Sequence, residues 1–171
     1  MICVGCTENH GKHMPLGTDT LIPDRIAELL EEKCDVMIAP TIPYGATNTI
    51  YGCPGTITIG TDGLIMLLTK VCDCLYRYGF RKFIILNGHG GNCKAIEQVG
   101  MELHKKGAWL ACLNWWLMAG ELRPEWKGGH GGGEFRRDHA GLHGGVQILR
   151  VDFKDLVQSR RQNDDGVGTV R

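Results

Sequence analysis

The run Phe83-Ile84-Ile85-Leu86, set between Arg81-Lys82 and Asn87-Gly88-His89-Gly90-Gly91-Asn92, constrains the fold of this chain more than any other stretch. An apolar run without polar alternation is the pattern of a strand buried on both faces of a parallel sheet. The chain supplies the alternating elements that such a sheet needs. Ile2 to Cys6 can open it as a first strand, and the segment that follows leaves as a Gly- and Pro-rich loop. A helix is predicted from Thr20, with Leu21, Ile22, Ile26, Leu29 and Leu30 on one face and Asp24, Arg25, Glu28, Glu31 and Glu32 elsewhere. Pro23 fits that helix only in its first turn. Val36 to Ala39 reads as a strand stopped by Pro40, and Thr56 to Ile59, β-branched and alternating, as another. Leu64 to Tyr78 is a predicted helix closed by Gly79. Asn92 to Lys106 is the next, with Ile96, Val99 and Leu103 inward and Asn92 as its cap, and Trp109 to Leu113 is a final strand. Beyond Asn114 the periodicity weakens, and residues 127–145, crowded with Gly and His, are expected to form a loop. The expectation is an α/β fold with a mostly parallel sheet covered on both faces.

In such sheets ligands gather outside the carboxyl ends of the strands. Glu8 and His10 leave the first strand at that end, and His89 leaves the Phe83 to Leu86 strand at its own, so all three are expected to converge on one edge. Side chains two apart in an extended segment point the same way, which lets Glu8 and His10 face one site. Asp19, returned by the turn through Pro15 and Gly17, can bridge two neighbouring ions about 3.5–4 Å apart. Carboxylates with imidazoles are a ligand set for divalent metal. The alternative for Asn87 to Asn92, a glycine-rich anion loop, lacks the Lys-Ser/Thr of a P-loop and the G-x-G-x-x-G spacing.

Size and charge narrow the partners. The 171 residues suffice for one domain with a real core. The 19 lysines and arginines balance the 19 aspartates and glutamates, so no net field draws the chain to nucleic acid or an anionic membrane. No apolar stretch reaches the roughly 18 residues of a spanning helix, and no basic segment leads into a signal core. The expectation is a soluble cytoplasmic protein with a small-molecule substrate. Of the eight cysteines, most lie in or beside apolar segments and read as reduced thiols. Cys3 and Cys6 form a C-x-x-C without a second pair, which favours two thiols on a buried first strand over a redox or metal role.

Five ordered motifs then carry a resemblance: Thr7-Glu8-Asn9-His10-Gly11, His13-Met14-Pro15-Leu16-Gly17-Thr18-Asp19, Pro43-Tyr44-Gly45, Pro54-Gly55-Thr56 and Asn87-Gly88-His89-Gly90-Gly91-Asn92. From about Cys3 to Trp116 the chain resembles the creatininase (creatinine amidohydrolase) family. The resemblance implies a three-layer α/β/α sandwich, here one domain over residues 1–171 that is open to truncation at one or both ends. It implies hydrolysis of a small cyclic or linear amide by a metal-activated water, two divalent ions (zinc or manganese), and a homo-oligomer, often a hexamer. Carried over by motif, Glu8, Asp19 and His89 hold one ion and His10 and Asp19 the other, with Glu8 also orienting the water. His139, in His139-Ala140-Gly141, matches the family histidine that passes a proton to the leaving group, a role suited to an imidazole. Trp115 and Trp116 resemble aromatic residues of the substrate pocket, with core or interface packing as the equal alternative.

Departures from the pattern bear on the second ion. Creatininase itself carries a glutamate at the position of Gly91, and members with glycine there take the carboxylate from a later H-A-G-x-x-E-T segment, where this chain has Gly144. Glu134, His130 and His143 are the substitutes at hand, and Ile50 stands where relatives often place a histidine. Two further readings stay open at this point. One is a family hydrolase of another substrate: a formamide deformylase, a cofactor-maturation peptidase or a keto-inositol hydrolase. The other is a metal-binding pseudo-enzyme that lacks the second ion.

Overall fold

A computed structural model describes residues 1–122 of the chain. Four parallel strands, β1 (Ile2–Val4), β2 (Ala39–Ile42), β3 (Lys82–Asn87) and β4 (Trp109–Asn114), form one sheet in the order β2-β1-β3-β4. Between them run α1 (Thr18–Glu31), α2 (Gly60–Arg77) and α3 (Cys93–Lys105), the last entered through a single 3-10 turn at Gly90–Asn92, and α4 (Trp115–Leu122) follows β4. Ile2 lies beside Ile85 and Val4 beside Asn87, while Phe83 pairs with Leu110.

Strand alternation sends side chains to two separate cores, which is what makes the sheet the middle of three layers. Ile2, Val4, Phe83 and Ile85 pack against Leu64, Leu68 and Cys72 of α2 and Ile96, Val99 and Leu103 of α3. Cys3 and Leu86 point the other way, to Ala27 of α1, with Ile84, Ile26 and Trp115 around them. The α/β/α sandwich with a parallel sheet is therefore present, and Ile96, Val99 and Leu103 face inward as the periodicity predicts. Among the described residues no helix is long and apolar enough to cross a membrane.

Several boundaries differ from the sequence-based expectation, each for a physical reason. The second strand runs through Pro40 instead of ending before it, because β2 is at the sheet edge and pairs with β1 alone among the described strands. Residues 56–59 are not a ladder strand: Ile57 makes one antiparallel bridge to Thr7, and the Thr56 and Thr58 hydroxyls serve neighbouring loops. The first helix starts at Thr18, which puts Pro23 in its second turn rather than its first. On that helix Pro23 and Ala27 face the core while Leu21 and Leu29 are exposed, since the small residues allow close approach to the sheet. The helix at Trp115–Leu122 is not foreshadowed by periodicity, its apolar residues lacking a clear stripe.

The chain order of the strands also locates the site. From β1 the chain moves to β2 on one side and then returns to β3 on the other. The crevice at the carboxyl ends of β1 and β3 is thus a topological switch point, the place where such sheets bind ligands.

Candidate metal centre

Four of the predicted side chains meet at that crevice. Glu8 and His10 arrive on the segment leaving β1, Asp19 on the first turn of α1, and His89 on the segment leaving β3. Asp19 places one carboxylate oxygen on each imidazole: Oδ1 is 3.2 Å from His10 Nε2 and Oδ2 is 2.9 Å from His89 Nδ1. Glu8 Oε1 lies 3.5 Å from His89 Nδ1 and 3.9 Å from His10 Nε2. Both carboxylates are buried, at 8% exposure each, and their ion-pair partners among the described residues are these two imidazoles.

The loops that carry these groups are fixed from below. Pro23 has no N–H to give the carbonyl one turn earlier, so the Asp19 carbonyl is free of the helix ladder and rests against the Cα of Gly88. A Cβ at Gly88 would sit 1.8 Å from that oxygen, so a glycine here is what lets α1 and the end of β3 bring Asp19 to His89. Asn92 is fully buried, and its side chain accepts from Ala46 N at 2.9 Å and donates to Gly5 O at 3.0 Å and Asn87 Oδ1 at 3.2 Å. It therefore ties three loops together and does not cap α3, whose start is continued by the 3-10 turn. Asn9 holds the opposite wall, donating from Nδ2 to Pro54 O and from its backbone to Thr56 Oγ1, both at 3.0 Å.

The ring orientations carry chemical information. His10 Nδ1 is 3.1 Å from the Glu8 carbonyl, which can only accept, so Nδ1 carries a hydrogen and Nε2 is the ring nitrogen that faces Asp19. His89 Nδ1 meets Asp19 while the ring also engages the Ala46 carbonyl. Burial works against a charged His89, but the Asp19 hydrogen bond, the Glu8 and Asp19 charges and the Ala46 carbonyl outweigh it and raise its pKa. In both cases a proton or a cation is needed between a ring nitrogen and a carboxylate. Two buried carboxylates and two inward ring nitrogens fit a divalent metal.

A residue absent from the predicted ligand set also belongs here. Cys3 is on β1, but Cys6 lies past its end, with Sγ 4.0 Å from Glu8 Oε2. Cys6, Glu8 and His89 form one potential ligand group, and Glu8, His10 and Asp19 a second. The alternation Cys6-x-Glu8-x-His10 is the available signal. Gly91 offers no room for a carboxylate in this conformation, since a Cβ there would be 2.0 Å from the Ala46 carbonyl oxygen and 2.6 Å from His89 Nε2. Trp115 packs in the core on the α1 side, its buried Nε1 without a partner among the described residues, and Trp116 meets it edge-on at 6.3 Å. His139, Glu134, His130 and His143 lie outside the described residues.

Known proteins resemble this chain in sequence and in fold. Residues 1–162 match the family model described as creatininase, creatinine amidohydrolase. The mycofactocin precursor peptide peptidase of Mycolicibacterium smegmatis is 36% identical over 121 residues, covering 66% of this chain and 49% of that protein. The 3-dehydro-scyllo-inosose hydrolase of Thermotoga maritima is 41% identical over 91 residues, covering 53% of this chain and 29% of that protein. Among solved structures, a point-mutant creatininase of the Zn-Zn type superposes with a TM-score of 0.64 at 22% identity, covering 77% of this chain and 57% of that one, which is a likeness of fold. The chain spans about half the length or less of these curated relatives.

Proposed function

The chain belongs to the creatinine amidohydrolase family, and on that premise we propose that it is a metal-dependent amidohydrolase acting on a small cyclic or linear amide. The observation that carries the reading is Asp19, whose two carboxylate oxygens each face a different imidazole as a bridging ligand requires. Glu8, Asp19 and His89 would hold one divalent ion, zinc or manganese, and His10 with Asp19 a second. Bound there, such an ion supplies Lewis acidity and a water of lowered pKa.

The chain's own groups do the positioning. Glu8, buried with its carboxylate reaching both imidazoles, would orient the attacking water. The Glu8 carbonyl and the Ala46 carbonyl fix the His10 and His89 rings. His139, by its motif, delivers a proton to the departing nitrogen. A homo-oligomer, a hexamer by family resemblance, is the proposed assembly.

A peptide-type amide is the second reading of the substrate, favoured by the 36% identity to a peptide peptidase. Substrate screening with creatinine, formamides and short peptides separates the two. Asp19→Ala is expected to lose metal and hydrolysis together, whereas His139→Ala keeps its metal and loses turnover. Unchanged turnover in His139→Ala removes that residue from the mechanism. Amide hydrolysis unaffected by Asp19→Ala, or a metal-free protein with full activity, overturns the proposal.

A further inference from the structure

We propose that the Cys6 thiol is a ligand of this centre, joining Glu8 and His89 as a thiolate; the proposal rests on the metal reading above. Cys6 is completely buried, and its Sγ is 4.0 Å from Glu8 Oε2. One ligand atom from each of Cys6, Glu8 and His89 can be chosen so that all lie within 4.8 Å of one another. In a tetrahedral zinc site with bonds of about 2.0–2.3 Å, neighbouring ligand atoms are roughly 3.3–3.5 Å apart, so small side-chain shifts bring the three together.

The chain path explains why this thiol is placed here and its neighbour is not. Cys3, inside β1, points to the other face of the sheet, where its Sγ is 3.7 Å from the Pro23 carbonyl. Cys6 lies beyond the strand, two residues before Glu8 and four before His10, so alternation puts the three on one side. Glu8 sits between them, with Oε2 toward Cys6 and Oε1 toward His10 and His89. Cys93 and Cys112 are occupied elsewhere, with Asn114 Oδ1 at 3.8 and 3.7 Å.

Coordination would break the Cys6 S–H bond, form the sulfur–metal bond and release the proton to solvent, since a metal-bound thiol is deprotonated. A thiolate makes the centre prefer zinc or cadmium to manganese beyond the usual order for carboxylate and imidazole ligands.

Cobalt substitution reads this directly. The metal-free protein is loaded with Co²⁺, with bound metal counted by equilibrium dialysis and the near-ultraviolet thiolate-to-cobalt charge-transfer band recorded. The band is expected in the wild type and in Cys3→Ser and to vanish in Cys6→Ser, which retains cobalt with affinity weakened about 10–100-fold, the scale of loss for a supporting group at a metal site. X-ray absorption of the zinc-loaded wild type, which needs no variant, is expected to show a zinc–sulfur distance of about 2.3 Å. Cobalt bound without the band, or a band that persists in Cys6→Ser, overturns the Cys6 assignment while the metal reading stands. No bound cobalt overturns both.

Discussion

Gly88→Ala places a methyl carbon 1.8 Å from the carbonyl oxygen of Asp19, about 1.5 Å short of the roughly 3.3 Å at which carbon and carbonyl oxygen rest. Neither side has an easy retreat. Gly88 N donates to Val4 O at 2.8 Å, which holds the glycine to β1, and the obstructing atom is helix backbone rather than the end of a flexible side chain. Overpacking of this kind costs typically about 1–3 kcal/mol. The backbone position of the clash puts Gly88→Ala near the top of that range, against about 0.4–1 kcal/mol recovered by restricting the unfolded chain. The net loss is about 2 kcal/mol, or about 4–8 °C in the thermal midpoint of a domain this size. Relief of the clash also draws Asp19 away from His89, now 2.9 Å from it, so metal affinity is expected to fall at least about tenfold. Thermal unfolding of the metal-free protein and calorimetric titration with zinc measure the two effects separately. A Gly88→Ala protein within about 0.5 kcal/mol of the wild type and with unchanged zinc affinity refutes the close-approach reasoning.

Other consequences are measurable in the same protein. Asn92→Ala strands the buried Ala46 N–H and the Gly5 carbonyl, and a loss of about 2–5 kcal/mol is expected in urea denaturation; a loss below about 1 kcal/mol would show that the three loops are held otherwise. Burial pushes the Cys3 and Cys72 thiols up to about 11 and those of Cys6 and Cys112 up to about 12, the last two helped by Glu8 and Cys93 respectively. All eight cysteines are free, so alkylation of the native, metal-free protein near pH 8 should mark exposed Cys53 and Cys74 first and leave those four until the chain is denatured. Rapid labelling of Cys3 or Cys72 in the native state would contradict the burial assigned to them.

How far the sequence foretells this arrangement varies by element. The buried strands and the α2 and α3 helices are legible because their apolar faces repeat at the period of the structure that buries them. The meeting of Glu8, His10 and His89 is legible for a topological reason, since each leaves a parallel strand at its carboxyl end. Pro40 misleads because a proline stops a central strand but not an edge strand, and edge position is a property of the assembled sheet. Pro23 misleads in a more useful way: its missing N–H frees the Asp19 carbonyl to pack on Gly88, a compensation that only the tertiary contact reveals. Asn92 reads as a local cap because capping is a short-range motif, whereas its partners at residues 5 and 46 are distant in sequence. Cys6 is grouped with Cys3 by the C-x-x-C spacing, while the earlier end of β1 separates them.

The central claim is that Asp19 bridges two divalent ions, one shared with Glu8 and His89 and the other with His10. Anomalous diffraction from crystals of the metal-loaded protein, collected at the zinc and manganese edges, tests it most directly. Two anomalous peaks flanking the Asp19 carboxylate, one beside Glu8 and His89 and one beside His10, are predicted. A single peak, or ions bound away from Asp19 with this crevice empty, would contradict the account.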